Sequence, residues 1–269
     1  MDGLYLYCIR EKTKGAVAIS AKGIDESKEV FILPFRQLEA VVSTVNLDEF
    51  ASEQVQTKAR EDVNWIKEKS IAHERVIEEA MIKDDKLLSL IPMRFGIILK
   101  SRTALGQSLD KDYPKIMEVL EKVRGKQEWS VKVYLMNKEN FEEVIKEKNE
   151  KLKQKQREIA SLPEGMAFFI EEELRSIVAK EADKELNNII NNLFDRLAKQ
   201  SGGSVKNRIL ARELTGRREP MVLNSAYLVC EKKIKCFKKE VEDLKKEIYS
   251  KGLCLEYSGP WPAFNFTSY

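Results

Sequence analysis

The fold of this chain is decided near its middle, at residues 125–136, which read GKQEWSVKVYLM. From Trp129 to Leu135 every second residue is apolar, the period of a half-buried strand. Gly125 stands just before this pattern, as glycine commonly does at the end of a helix. A chain of 269 residues is long enough for two domains. We therefore place the boundary at this point and predict an α+β domain over residues 1–125 and a second over residues 126–269.

Working outward toward the N-terminus, the first half alternates strand and helix signals. Residues 4–9 form a short apolar strand, and residues 30–33 and 38–45 form a hairpin. A helix is predicted from Thr57 to Lys83, because apolar or small residues recur at spacings of 4, 3 and 4 along one face. A strand-like stretch over residues 87–99 and weaker helical segments follow.

Toward the C-terminus, the strand at Trp129 is followed by a very polar segment over residues 139–160, which indicates an exposed helix. A second long helix, a flexible break at residues 201–204, and a strand over residues 221–230 come next. A helix with an apolar stripe and a last strand from Leu253 to Tyr257 close the domain. Both halves predict small sheets packed with helices, with ferredoxin-like units as the model for either half.

Composition limits the classes of function. Charged residues make up 34% of the chain but leave a net charge of only +3, which argues against a dedicated nucleic-acid surface. The four cysteines form no CxxC pair and there is one histidine, so we expect no metal site, no cofactor and a reducing compartment. The first residues lack a signal-peptide pattern and no run is long and apolar enough to span a bilayer. A cytoplasmic protein without a membrane segment is expected.

Candidates for catalysis are few. His73 could act as a base with Glu74, Glu78 and Glu79, but it lies on the apolar stripe of the predicted helix, which favours a core histidine. Arg94 lies inside an apolar strand after Pro92 and could contact an anion or a partner's carboxylate or form an internal ion pair, and the internal pair is favoured. Because no P-loop, nucleophile-elbow or zinc-protease motif occurs, we predict no catalytic residues and no enzyme activity.

A basic run keeps a second class of function open. Ten cations lie between residues 206 and 239, with three glutamates among them and Glu240 directly after, and aromatic residues do not interleave with the cations as RNA stacking platforms require. An RNA-binding module built from ferredoxin-like units is therefore the alternative function, and a solvated face is the favoured interpretation.

The end of the chain is the strongest interaction candidate. Residues 258–266 read SGPWPAFNF, in which two prolines exclude a helix or a central strand. Aromatic residues are enriched at interface hot spots, so Trp261, Phe264 and Phe266 are the predicted partner-binding residues. We expect Pro260 and Trp261 to dock on the C-terminal domain and Phe264 and Phe266 to lie nearer the surface.

Taken together and in order, several motifs resemble the gas vesicle protein F/L family. They are residues 4–7 (LYLY), residues 38–43 (LEAVVS), Trp65 with His73, residues 92–96 (PMRFG), residues 125–132 (GKQEWSVK), residues 223–229 (LNSAYLV) and residues 258–262 (SGPWP). The chain departs from the family pattern at Cys8, Ser130, Ile97 and residues 263–266, which leaves open whether it is F-like or L-like.

The resemblance implies a two-domain, non-enzymatic accessory protein of gas vesicle formation. Such proteins contact the small hydrophobic shell protein and assist nucleation or early assembly of the vesicle. The implied partners are the shell protein and other accessory proteins of the vesicle, and the implied location is the cytoplasm and the vesicle.

Overall fold

The computed structural model describes residues 2–15, 19–50, 62–84, 86–159 and 161–267 of the chain. Its elements form two compact units, one made of Met1–Glu128 with Pro260–Tyr269 and the other of Trp129–Gly259. The division comes three residues after Gly125. The C-terminal segment belongs to the N-terminal unit, whereas the sequence placed it on the C-terminal domain. The class is α+β, as predicted.

The N-terminal unit is built on one sheet. Its strands are β1 (Asp2–Glu11), β2 (Val30–Phe35), β3 (Leu38–Asn46), β6 (Leu90–Pro92) and β7 (Ile98–Leu99), in the order β2-β3-β1-β6 with β7 also paired to β1. All these pairings are antiparallel. The predicted hairpin is present and turns at Arg36, whose φ is 53°. A second, two-stranded sheet joins β4 (Ile82–Lys83) to β5 (Lys86–Leu87). Because the described residues between β1, β2 and β3 form no helix, this unit does not have the ferredoxin-like order.

Both faces of this sheet are buried. A short helix, α1 (Leu47–Phe50), follows β3, and the longer helices are α2 (Val63–Ala80) and α3 (Arg102–Val123). Tyr5 and Tyr7 pack with α2, and Leu4 and Leu6 pack with α3 on the opposite face. The helix predicted from Thr57 is described from Val63 onward, and residues 57–61 lie outside the described part of the chain.

A bulge in β1 decides which face each later residue occupies. Leu6 pairs with Val42 and Cys8 with Val41, so Tyr7 is an extra residue in the ladder. The alternation shifts by one position, and Cys8 therefore packs on the α2 face with Tyr7 while Ile9 packs on the α3 face. Arg10 consequently reaches the end of α2, where its Nη1 donates to the carbonyl of Ala80 at 2.6 Å.

The second unit has a different sheet. Its strands are β8 (Lys126–Leu135), β9 (Gly203–Lys206), β10 (Met221–Cys230) and β11 (Leu253–Trp261), in the order β11-β8-β10-β9. With helices between β8 and β9 and between β10 and β11, this is the βαββαβ order of a ferredoxin-like unit. The predicted flexible break at residues 201–204 is wrong in part, because Gly203 and Ser204 belong to β9 and pair with β10.

The helices of this unit are α4 (Lys138–Lys148), α5 (Glu150–Ile159), α6 (Glu164–Lys199), the short α7 (Arg212–Thr215) and α8 (Ile234–Tyr249). The predicted stripe of α8 is buried at Phe237, Val241, Leu244 and Ile248. The polar segment over residues 139–160 is two helices rather than one. It is not merely exposed, because Phe141, Leu152 and Ile159 are buried in the unit's hydrophobic clusters.

Candidate partner-binding site

The C-terminal segment leaves the sheet at the end of β11 and folds into a tight turn. The amide of Phe264 donates to the carbonyl of Pro262 at 2.7 Å, and the amide of Phe266 donates to the carbonyl of Ala263 at 3.0 Å. The hydroxyl of Thr267 donates to the same Ala263 carbonyl at 2.9 Å. The backbone is therefore not extended here, and the side chains of Phe264 and Phe266 do not share one side as a strand would require.

Polar contacts anchor this turn to the N-terminal unit. Asn265 donates to the carboxylate of Glu128 twice, from its backbone N to Oε2 at 3.0 Å and from Nδ2 to Oε1 at 2.6 Å. Lys122 Nζ donates to the carbonyl of Phe266 at 3.0 Å. Burial raises the pKa of Glu128, and the two hydrogen bonds from Asn265 oppose that rise. The two hydrogen bonds between Asn265 and Glu128 therefore fix both the terminal turn and the Glu128 side chain.

The three predicted partner-binding residues have different environments. Phe266 is buried, with 8% of its surface exposed, whereas Trp261 is 39% exposed and Phe264 is 37% exposed. The expected division is wrong at two positions, since Phe266 is an anchor and Trp261 is partly at the surface. The physical reason is the turn after Pro262, which directs Phe266 back toward the protein.

Beside Trp261 lies a narrow cleft of 20 Å³, lined by Leu87, Leu88, Pro260, Trp261 and Ala263 among others. That volume holds about one water molecule. A partner would therefore contact the outer surface of Trp261 and Phe264 rather than insert a side chain beneath them.

His73 is a core residue with both ring nitrogens in hydrogen bonds. The carbonyl of Met93 can only accept, so Nε2 carries the proton and donates to it at 3.0 Å. Nδ1 then accepts from the hydroxyl of Tyr5 at 2.9 Å, while that hydroxyl accepts from the amide of Gly96. Burial lowers the pKa of His73 to about 4, so the ring is neutral at physiological pH. The geometry explains a structural role for this histidine.

Two glutamates near His73 lie in different environments, and their pKa values shift in opposite directions. Glu79 accepts from the amide and hydroxyl of Ser20 and from the amide of Ala21, and these bonds lower its pKa. Burial and the neighbouring charge of Glu78 raise the pKa of Glu74. Across the described residues, no group of three His, Cys, Asp or Glu side chains is arranged to hold a metal ion.

The prediction of an internal ion pair for Arg94 is wrong. This side chain is exposed and has no acidic partner among the described residues. The buried ion pair belongs instead to Arg10 and Glu39, with Nε 3.1 Å from Oε2 and Arg10 fully buried. A signal was present in the sequence, because both charges stand inside strongly apolar strands. Their pairing depends on the register of β1 against β3, in which Arg10 lies opposite Glu39.

Part of the basic run is engaged inside its own unit. Lys206 Nζ donates to Asn191 and lies over the ring of Phe194. Arg217 pairs with Glu256 and Glu219 and lies over Tyr134, and Lys238 lies over Trp129. These three cations make intramolecular contacts, so the geometry does not favour the RNA-binding alternative.

The helices within the described residues include none with the length and apolarity needed to cross a bilayer.

Comparison with known proteins gives one consistent family. The family model for "Gas vesicle synthesis protein GvpL/GvpF" matches residues 3–268. Gas vesicle protein F1 of Halobacterium salinarum is 24% identical over 267 residues, which cover 98% of this chain and 92% of the relative. Gas vesicle protein F of Nostoc is 26% identical over 177 residues, covering 65% and 67%. The crystal structure of GvpF from Anabaena shares the fold, with a TM-score of 0.76 at 20% identity over 100% of this chain and 99% of that one.

Proposed function

Because this chain belongs to the GvpL/GvpF family of gas vesicle synthesis proteins, we propose that it is a non-enzymatic accessory protein that binds the hydrophobic shell protein and assists nucleation or early assembly of the vesicle. Family membership gives involvement in gas vesicle formation. The shell-protein partner, the stage of assembly and the absence of catalysis are the proposal.

The observation that carries the proposal is the anchored aromatic turn at the C-terminus. Phe266, Asn265 and Glu128 fix the segment to a folded unit, and Trp261 and Phe264 remain more than a third exposed. Aromatic side chains that are already ordered lose little conformational entropy on binding, and aromatic residues are enriched at interface hot spots. We propose that these two rings contact the shell protein and that Phe266 positions them.

Shell subunits need such a partner for a physical reason. Apolar faces and open strand edges associate without control when they are exposed to water. A protein that covers part of that surface would keep subunits separate until they join a growing shell. This role requires binding and release, and it requires no bond to be made or broken.

The proposed place of action is the cytoplasm, where vesicles would assemble. All four cysteines are free thiols, and Cys8 is fully buried in the sheet. A chain whose thiols are all unpaired fits a reducing compartment.

The test is a pull-down of the shell protein by the purified full-length chain. We expect Trp261→Ala/Phe264→Ala to weaken capture strongly and to lower the unfolding transition by only a few degrees, because most of Trp261 is buried while Phe266 still anchors the segment. The matched control is Leu214→Ala/Tyr249→Ala, which truncates two side chains that are 74% and 65% exposed elsewhere. The control should capture the shell protein normally.

A third variant separates anchoring from contact. Phe266→Ala removes the buried anchor, so it should weaken capture and also expose the C-terminal segment to proteolysis. Undiminished capture by the Trp261/Phe264 variant would reject the proposed contact surface. Normal vesicle yield in cells that lack the gene would reject an essential role in assembly.

A further inference from the structure

The helical part of the C-terminal unit contains an open groove that lies apart from the C-terminal aromatic turn. It has a volume of 710 Å³ and is bounded by α4 on one side and α6 on the other, with the end of α5 at its base. Its floor is apolar and consists of Ile159, Leu162, Ala167, Leu174 and Val178. A groove of this volume with an apolar floor is large enough for several side chains of a partner.

The rim of the groove is predominantly acidic. The charged lining residues are Glu139, Glu142, Glu143, Glu171, Lys146 and Arg175. Lys146 pairs with Glu143, and Arg175 pairs with Glu172 outside the lining, so each cation has an acidic partner and the lining holds four carboxylates against two cations. Glu139 and Glu171 have no cationic partner among the described residues. Two carboxylates on opposite walls of the groove are therefore available to a basic ligand.

Exposed aromatic residues extend the apolar surface at one end. Phe168 is 65% exposed and Phe169 is 75% exposed, and their rings meet edge to face at 5.8 Å. Phe168 precedes Glu171 by three residues and Arg175 by seven, so it lies on the same face of α6 as these lining residues. Adjacent exposed phenylalanines are costly in water and mark a surface that binds something.

We propose that this groove binds a basic amphipathic helix of a partner protein. The lining residues on α6 run from Ala167 to Val178, which is about 16 Å at the helical rise and matches three turns of a bound helix. Apolar side chains at positions i, i+3 or i+4, and i+7 of that helix would fill the floor. Lysines or arginines beside them would face Glu139 and Glu171.

Charge complementarity selects this occupant. An acidic helix or an anionic membrane surface would meet like charge on the rim, which disfavours both. The groove is a second partner surface, independent of the proposed contact of Trp261 and Phe264 with the shell protein. Loss of either interaction leaves the other intact.

The first experiment measures binding of two synthetic peptides to the full-length protein by fluorescence anisotropy. One peptide of about 18 residues, roughly 27 Å long as a helix, carries leucine and lysine at helical periods. The second has glutamate in place of every lysine. We expect the leucine–lysine peptide to bind, its affinity to fall as salt is raised, and the leucine–glutamate peptide not to bind. Equal binding of both peptides, or binding of neither, would overturn the proposal.

The second experiment locates the peptide. Glu139→Lys/Glu171→Lys should weaken binding of the leucine–lysine peptide by about tenfold or more. The matched control, Glu231→Lys/Asp243→Lys, changes the net charge of the chain equally at exposed acidic residues on another face and should have little effect. If the control weakens binding as much as the groove variant does, attraction is only to the protein's overall charge and the groove is not the site.

A third variant tests the shape of the groove. Ala167→Trp places an indole on the half-buried floor and should block the peptide without changing the rim charge. Circular dichroism and the unfolding transition show whether this variant is folded. Phe168→Ser/Phe169→Ser changes only exposed side chains that extend the groove, so it should fold like the parent and also weaken peptide binding. Unchanged peptide affinity in folded Ala167→Trp would refute binding in the groove.

Discussion

Glu39→Ala is expected to destabilise the N-terminal unit by about 3–5 kcal/mol, the cost of breaking a buried ion pair from one side. Arg10 is fully buried, and the side chain of Glu39 is 9% exposed. Without Glu39, the guanidinium keeps only the Ala80 carbonyl as a partner for Nη1, and its Nη2 already has none. Arginine cannot escape the cost by losing its proton.

The reverse substitution should be milder. Arg10→Met keeps most of the side-chain volume, and it leaves Glu39 with the amide of Thr13, 3.3 Å from Oε1. The hydroxyl of Thr13 also lies 3.5 Å from Oε2 of Glu39, so the carboxylate keeps polar neighbours and the expected loss is about 1–3 kcal/mol. Arg10→Met/Glu39→Leu removes both charges and should return to within about 1 kcal/mol of the parent.

Scanning calorimetry measures the Tm of Glu39→Ala, Arg10→Met and the double variant, and each value is compared with the Tm of the parent. A domain of this size loses roughly 3 °C of Tm per kcal/mol, so Glu39→Ala should lower the transition of its unit by roughly 10–15 °C. The double-mutant cycle then yields the coupling between the two side chains. A loss below about 1 kcal/mol for Glu39→Ala, or a larger loss for Arg10→Met than for Glu39→Ala, would refute this reasoning.

Because the folded pKa of His73 is about 4 and lies below the ordinary value of 6.5, its contribution to stability is present above pH 6.5 and is lost as the pH falls toward 4, by up to about 3 kcal/mol. Chemical denaturation across that range should show this slope and His73→Gln should flatten it. Asn265→Ala should lower stability by about 1–2 kcal/mol at pH 7. It should cost less at pH 4, because burial already raises the pKa of Glu128 and the protonated carboxyl needs the bond less; equal losses at both pH values would contradict this. Gly125→Ala should cost about 1 kcal/mol and Gly125→Asn less, measured by urea unfolding, because φ is 62° and no atom lies within 4 Å of the added Cβ. A filter-binding assay should retain no single-stranded RNA at low salt, and retention that falls steeply with salt would restore the RNA-binding alternative.

The secondary structure was largely readable because the patterns are local. The hairpin of β2 and β3, the alternation in β8 and the stripe of α8 repeat at the periods of a strand or a helix. The residues that define these patterns are neighbours in sequence, so their burial follows from the element they belong to. The partial burial of the polar segment over residues 139–160 was not predicted. Its buried side chains include Phe141, Leu152 and Ile159, and they stand among many charged residues, so no apolar period is visible.

The sequence by itself determined the α+β class, most of the elements, the core position of His73 and the family resemblance. Only the tertiary structure decided that Arg10 pairs with Glu39, that Phe266 rather than Trp261 is buried, and that the last residues group with the N-terminal unit. The physical reason is the separation of the partners: Asn265 meets Glu128 across 137 positions of chain. No local periodicity records such a contact, because it exists only after strand register and the path of the terminal turn have placed the two residues together.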